Sequence, residues 1–251
     1  MTQAELFQEI VRDAGALLRG AARGPRKTVT LSPEVAALLK TVRTVPAGEG
    51  GGEAWAALEK EVCACTKCEL SKTRRNTVIG EGNLMANLVF VGEAPGGEED
   101  RCGRPFVGRA GQLLTDIIVK GMKLKREDVY ICNVLKCRPP ENRDPSSEEV
   151  ACCEPFLRRQ LDLIRPKVIC ALGRHAANTL LKTAEGTGRL RGKWHDYHGI
   201  PCRVTYHPSY LLHCRGEKLR AEKAKVWQDI QAVMKALGSG IATGNDAEGS
   251  G

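Results

Sequence analysis

The chain has 251 residues, of which 42% are hydrophobic and 27% charged, a composition typical of a folded globular protein and not of a fibrous or low-complexity one. No apolar run is long enough to span a bilayer, and the acidic residues of the N-terminal stretch argue against a secretory signal, so we expect a cytoplasmic location and no membrane partner. The net charge of +8 favours a polyanionic partner such as nucleic acid, although a basic surface that binds nothing is about equally compatible with the charge alone.

The two ends of the chain differ in composition from its middle. Apolar residues recur at helical spacing over 3–19, and the glycine cluster at 48–52 indicates a linker. We therefore assign residues 1–52 to an N-terminal extension of helix and linker, and residues 53–237 to one main domain. The Gly-rich segment 238–251 has few apolar side chains and is predicted to be a disordered tail.

Within the main domain, short apolar runs alternate with amphipathic stretches. The predicted strands are Ala86–Gly92, Val129–Leu135, Lys167–Gly173 and Cys202–Tyr206. The predicted helices are Ala110–Met122, Ser146–Ile164, Arg174–Leu181 and Glu217–Leu237. The second helix begins with a capping box, since Glu149 follows Ser146 by three residues. This alternation predicts an α/β fold of three layers, αβα, around a central, mainly parallel four-stranded sheet.

Polar motifs follow the predicted strands, where the ligand crevice of a parallel sheet lies. The sequence GEAPG begins at Gly92, Asn133 interrupts the second strand, and His207 begins an HPS motif after the last strand. A glycine-dense basic loop that contains Phe106 follows the first of these motifs, and it can bring a phosphate backbone close to main-chain amides. Taken singly, each motif also has an ordinary structural explanation as a turn, a cap or a structural histidine.

The cysteine content indicates metal binding or redox chemistry, because eleven cysteines in a cytoplasmic chain are seldom disulfide-bonded. Cys65 and Cys68 form a CxxC pair, and further thiols follow at wider spacing at Cys137 and the adjacent Cys152 and Cys153. Four thiolates suit Zn²⁺ or a [4Fe–4S] cluster, and one close pair with two dispersed ligands favours the cluster. Three further cysteines in strand-like segments are expected to be small buried apolar side chains: Cys132, Cys170 and Cys202.

Taken in order, these motifs resemble the family 4 uracil-DNA glycosylases, the iron–sulfur branch of the uracil-DNA glycosylase superfamily. The resemblance rests on CTKCELSKTR, VFVGEAPGGEEDRCGRPFVGRAGQLL, YICNVLKCRPPENRDP, EEVACCEPFL, ALGRHAANTLL, RGKWHDYHGIP and TYHPSYLL, and it runs from Cys65 to Leu212. It implies the fold of that superfamily and a monofunctional glycosylase of base excision repair. Such an enzyme hydrolyses the N-glycosidic bond of flipped-out deoxyuridine in single- or double-stranded DNA and leaves an abasic site.

The resemblance also implies a role for individual residues. The ligands of a structural [4Fe–4S] cluster would be Cys65, Cys68, Cys137 and Cys153, the last preferred over Cys152 because it lies two residues before the PFL sequence. Phe106 would stack on the flipped uracil, Asn133 would recognise its Watson–Crick edge, and Glu99 would exclude the methyl group of thymine. Gly92 and Ala94 would line the pocket loop. The catalytic residues would be His207, as donor to uracil O2, with Glu93 in the same loop and Asn142 to position the attacking water.

Two positions depart from related patterns. Ala94 stands where uracil glycosylases outside this branch have an aspartate that orients water, so water activation is left open. His213 stands where the family commonly has an arginine. We expect a monomer that turns over without forming a covalent adduct, with an N-terminal extension that can dock a clamp or another repair protein. The alternatives are an iron–sulfur or zinc-stapled DNA-binding module without catalysis, and a redox protein.

Overall fold

The computed structural model describes residues 50–238. The predicted helix over 3–19 lies outside these residues, as does the predicted tail from residue 239 onward. A helix begins at Gly50 and therefore takes in the last three glycines of the predicted linker.

The strands are β1 (Glu81–Gly82), β2 (Leu88–Gly92), β3 (Tyr130–Asn133), β4 (Val168–Leu172), β5 (Trp194–Tyr197) and β6 (Ile200–Thr205). The α-helices are α1 (Gly50–Cys63), α2 (Gly97–Cys102), α3 (Arg109–Asp116), α4 (Ser147–Ile164), α5 (Gly173–Leu181), α6 (Thr187–Leu190), α7 (Pro208–His213) and α8 (Gly216–Gly238). A π-helical turn, Ile117–Gly121, continues α3, and 3₁₀ turns lie at Glu69–Lys72, Arg126–Asp128 and Pro140–Asn142. Within residues 50–238, no helix is both long and apolar enough to cross a membrane.

The strands form one sheet in the order β1-β3-β2-β4-β6-β5. The four predicted strands make up its centre, and each neighbouring pair among them is parallel, which confirms the predicted sheet. The antiparallel edge strands β1 and β5 extend it to six strands and were not predicted. β1 has only two residues, and β5 is largely exposed, so neither has the apolar run on which the predictions were based.

Both faces of the sheet are covered by helices, which confirms the three-layer architecture. Side chains alternate along β2, so Val89 and Val91 share one apolar cluster while Leu88 and Phe90 share the other. Helices α1, α4 and α5 contribute to the first cluster, and α3 and α8 contribute to the second. Because the central strands are buried on both faces, they appear in the sequence as continuous apolar runs and not as alternating ones.

Local signals place the longest helices well. At the start of α4 the Ser146 hydroxyl accepts from the Glu149 backbone N–H at 3.2 Å, while the Glu149 carboxylate accepts from the Ser146 N–H at 2.9 Å, as the capping-box pattern predicts. Helix α8 is anchored by Asp229, a fully buried carboxylate that pairs with Arg191 at 3.0 Å and Arg203 at 2.9 Å. These pairs tie α8 to β6 and to the segment after α6.

Candidate active site

Three predicted site segments, and the end of β4, meet at one edge of the sheet. The register places Gly92 at the end of β2 beside Asn133 at the end of β3, and Leu172 of β4 beside Thr205 of β6. All four strands are parallel, so their carboxyl ends lie at the same edge. The residues that follow β2, β4 and β6 therefore gather with Asn133 around one crevice.

Gly92, Asn133, Phe106 and His207 come together at this edge of the sheet, and we call this group of residues the pocket, with Gly92 as its floor. A β-carbon at this position would lie 2.4 Å from Asn133 Oδ1 and 2.5 Å from Phe106 Cζ. Both distances are far shorter than a van der Waals contact, so the backbone of β2 can approach the amide and the ring only because residue 92 is glycine. The sequence GEAPG thus supplies a close approach as well as a turn.

Phe106 is held in a strained backbone conformation. Its φ is 51°, in the left-handed region that bulky residues avoid, and its ring is buried. Glu99 fixes the loop that carries it, since one carboxylate oxygen accepts from the N–H groups of Val107 and Gly108 at 2.9 and 2.8 Å. A β-carbon on Gly111 would lie 1.9 Å from the Phe106 carbonyl, so the start of α3 packs directly against this backbone.

Asn133 is a buried amide with unused hydrogen-bonding capacity. The residue is 1% exposed, and its Oδ1 has no hydrogen-bond partner among the residues that the structure describes. A buried polar atom without a partner costs on the order of 1–3 kcal/mol, so its presence points to a ligand that completes it. The amide of Asn133 lies beside the Phe106 ring, across the position where Gly92 lacks a β-carbon.

His207 faces the same pocket and is held in one tautomer. Its ring centroid lies 5.7 Å from that of Phe106. The Ser209 N–H donates to His207 Nδ1 at 3.2 Å, so Nδ1 is an acceptor and Nε2 carries the proton. Desolvation lowers the pKa of His207 to about 4, although Glu99 opposes the shift, so the imidazole is neutral at pH 7. Gly173 has a φ of 88° and packs against the β-carbon of His207. A side chain at residue 173 would clash there, since its β-carbon would lie 2.9 Å from that of His207.

The remaining predicted pocket residues lie around this centre. Ala94 is partly buried against the apolar core beneath the loop. The Glu93 carboxylate is partly buried, which raises its pKa, and it lies 3.8 Å from His175 Nε2. Asn142 is exposed in a loop at a φ of 55°, where its Oδ1 accepts from Arg138 Nε at 2.9 Å. Within residues 50–238, no hydrogen bond joins Asn142 to the pocket residues. The role of Asn142 in positioning water therefore stays a prediction.

The cysteines gather at a second place, beneath the end of β3. Cys65 and Cys68 follow α1, Cys137 follows β3 and Cys153 lies in α4, and all four line one cavity together with Cys152. Hydrogen-bond donors point at two of the sulfurs: Arg74 donates to Cys137 Sγ and the Lys136 N–H donates to Cys153 Sγ, each at 3.2 Å. The other predicted set, Cys132, Cys170 and Cys202, is buried in the strands as expected.

Sequence reasoning missed three polar residues around these two places. Lys136 is 1% exposed although it is charged in water, and its Nζ donates to the Asn133 carbonyl at 2.6 Å. His175 and Asp144 lie beside Glu93. His175 stands in the ALGRHAANTLL stretch directly after β4, so the strand-end rule that selected Gly92 and His207 would also have selected it.

Comparison with known proteins agrees with this geometry. Residues 79–231 match the uracil DNA glycosylase superfamily. The chain is 44% identical over 187 residues to the type-4 uracil-DNA glycosylase of Saccharolobus solfataricus, covering 71% of this chain and 84% of that protein. It is 49% identical over 179 residues to the type-4 enzyme of Thermotoga maritima, covering 67% and 91% respectively. A type-5 uracil-DNA glycosylase of Pyrobaculum aerophilum is 35% identical over 146 residues, covering 52% of this chain and 64% of that protein.

Proposed function

Because the chain belongs to the uracil-DNA glycosylase superfamily, on its type-4 branch, we propose that it hydrolyses the N-glycosidic bond of deoxyuridine in DNA and leaves an abasic site. The observation that carries the proposal is the unpartnered side-chain oxygen of Asn133, Oδ1, buried close to Phe106 and the end of β2. A base must leave the duplex to reach such a pocket, which is the route that enzymes acting on bases take.

The pocket suits uracil better than cytosine. Asn133 Oδ1 can accept from uracil N3–H while Nδ2 donates to O4, and Phe106 offers its ring face for stacking. Cytosine has an acceptor at N3 and an amino donor at C4, the reverse of uracil. It would therefore leave the buried Oδ1 and Nδ2 of Asn133 without matching partners. Mismatches of this kind reduce the rate by several orders of magnitude. Glu99 would add steric exclusion of the thymine methyl group, in addition to its bonds to the Phe106 loop.

His207 is suited to stabilise the leaving uracil. As the C1′–N1 bond breaks, its electron pair moves into the ring and negative charge builds on O2. A neutral imidazole that accepts at Nδ1 presents Nε2–H as a fixed donor to this oxygen, and a donor placed in advance needs no reorganisation during the reaction. The low pKa of His207 keeps it in that form at neutral and mildly acidic pH.

Water activation falls to Glu93 in this proposal, because Ala94 has no side chain that could orient water. The attacking water would form the new C1′–O bond and give its proton to the Glu93 carboxylate, while the departing uracil anion takes a proton from solvent. Burial raises the pKa of Glu93, which makes it a stronger proton acceptor once it is ionised. Asn142 would help to hold the water.

The four cysteines fit an iron–sulfur cluster better than a zinc ion. Thiolates on one Zn²⁺ would lie about 3.8 Å apart, since Zn–S bonds are about 2.3 Å long. Among residues 50–238, no three of these thiols lie even within 4.8 Å of one another, so they are farther apart than the thiolates of one Zn²⁺. Cys65, Cys68, Cys137 and Cys153 would hold a [4Fe–4S] cluster that joins the turn after α1, the end of β3 and helix α4. The N–H donors to Cys137 and Cys153 would stabilise bound thiolates.

The test is uracil release from a labelled oligonucleotide with a single uracil, followed by alkaline cleavage at the abasic site. Wild-type protein should cleave, His207→Ala should cleave about 10²- to 10³-fold more slowly, and His195→Ala on the edge strand β5 should match the wild type. An iron-loaded preparation that binds uracil-DNA without cleaving it would contradict the proposal and favour the non-catalytic DNA-binding module. A cleavage rate that follows the oxidation state of the cluster and not residue 207 would favour the redox alternative.

A further inference from the structure

A polar cluster borders the pocket on the side of helix α5. It consists of Glu93 after β2, Asp144 in the loop after β3, and Arg174 and His175 in the first turn of α5. His175 Nε2 lies 3.8 Å from Glu93 Oε2 and 3.2 Å from Asp144 Oδ2. Arg174 binds the same Asp144 oxygen at 3.0 Å. One imidazole nitrogen therefore lies between two carboxylates that come from different loops, and Arg174 Nη2 lies 3.2 Å from the same nitrogen.

The cluster is joined to the pocket through the backbone. Glu93 directly follows Gly92, the pocket floor, and His175 lies two residues after Gly173, which abuts the β-carbon of His207. The side chains of Glu93 and His175 are 32% and 23% exposed, whereas that of Asp144 is 67% exposed. Glu93 and His175 thus form the inner part of the cluster, and Asp144 holds it from the solvent side.

We propose that His175 is a positioning residue that holds the Glu93 carboxylate, ionised and in one orientation, against the attacking water. This role rests on the glycosylase activity and on Glu93 as its proton acceptor. Asp144 fixes the imidazole, and Arg174 fixes Asp144, so the chain of contacts runs from the surface to the reacting water. Ala94 leaves the GEAPG loop without a second carboxylate, so the proposed proton transfer depends on the orientation of Glu93.

Electrostatics support the same role. Burial is the main cause that raises the pKa of Glu93, and the facing groups act on it in both directions: His175 and Arg174 lower it, and Asp144 raises it. A positive charge beside a carboxylate favours its ionised form. His175 therefore offsets part of the cost of burying the Glu93 charge.

The experiment compares single-turnover uracil release across pH for the full-length, iron-loaded wild type, His175→Ala and His175→Gln, with His195→Ala as the matched histidine control. We expect the acid limb of the His175→Ala profile to move to higher pH by about one unit, and the plateau rate to fall about tenfold. His175→Gln, which keeps a polar side chain of similar length but removes the imidazole charge, should recover part of the plateau rate but keep the shifted limb. In a Glu93→Gln background, His175→Ala should change the rate by less than about twofold.

Two further measurements separate the possible failures. Carbon-13 NMR of glutamate carboxyls, with Glu93 assigned by its loss in Glu93→Gln, should show the same upward shift of the Glu93 titration in His175→Ala without DNA. Unchanged pH profiles and an unchanged titration, with active wild type, would overturn the role of His175 while leaving the glycosylase in place. Inactive wild type would instead contradict the proposed function. Glu93, Asp144 and His175 each present a ligand atom within 4.8 Å of the others, so wild-type activity that required an added divalent ion would assign them to a metal and also overturn the positioning role.

Discussion

Replacing Gly92 by alanine tests the pocket with the smallest possible change. The added methyl group would lie 2.4 Å from Asn133 Oδ1 and 2.5 Å from Phe106 Cζ, while ordinary contacts begin near 3.4 Å. The amide, the ring or β2 itself must therefore move by about 1 Å in total. The Phe106 backbone is pinned by Glu99 and by the close approach of Gly111, so the movement falls on the side chains that would contact uracil.

A misplacement of about 1 Å at a reacting centre costs on the order of 10²-fold in rate, or about 2.7 kcal/mol in the barrier. We expect Gly92→Ala to lose at least this much in single-turnover uracil release, while overpacking lowers its free energy of unfolding by about 1–3 kcal/mol. The control is Gly186→Ala, since residue 186 has a φ of −72° and a β-carbon there meets nothing within 4 Å. A folded Gly92→Ala protein with a rate within about threefold of the wild type would refute this reasoning about the pocket.

Three further changes test other parts of the molecule. Cys153→Ser should lose bound iron and visible absorbance whereas Cys152→Ser keeps both, and iron retained in the first variant or lost in the second would contradict the ligand assignment. Asp229→Asn should lower the free energy of urea unfolding by about 3–5 kcal/mol, because it leaves two arginine side chains in a buried site without their carboxylate. The control is Asp116→Asn at an exposed ion pair, which should change this free energy by less than about 0.5 kcal/mol. His213→Arg, at the exposed end of α7, should make the slope of log Kd against log salt for DNA binding steeper by about 0.7–0.9, and an unchanged slope would place residue 213 away from the phosphates.

The centre of the fold could be predicted from the sequence because burial on both faces leaves long apolar runs. β4 and α4 were located to within one residue at each end, the first by its run of apolar residues and the second by its capping box. Helix α1 was missed because its glycine-rich start resembles a linker, and its place is decided by packing of Leu58 and Val62 against α4 and the sheet. The π-helical turn after α3 likewise leaves no mark in apolar periodicity.

The site could be predicted only in part, and the reason is geometric. Residue types and strand ends indicate which segments meet, but not how the side chains share hydrogen bonds. The tautomer of His207 depends on the Ser209 N–H, and the surroundings of Glu93 depend on Asp144 and His175, which are 51 and 82 positions further along the chain. Contacts of this kind appear only when loops after three different strands are placed together.

Lys136 links the proposed iron–sulfur cluster to the uracil pocket, and so gives a physical reason why a cluster that takes no part in the reaction would still affect uracil recognition. Its Nζ donates to the Asn133 carbonyl at 2.6 Å, and its backbone N–H donates to Cys153 Sγ at 3.2 Å. The five residues from Asn133 to Cys137 thus carry the amide for uracil at one end and a proposed cluster ligand at the other. A buried ammonium is costly unless negative charge lies nearby. Burial lowers the pKa of Lys136, while Cys132, Cys153 and Cys137 oppose the shift. Thiolates held in a cluster would favour the charged lysine, and the charged lysine fixes the backbone that presents the recognition amide, so the cluster would support specificity for uracil without transferring an electron.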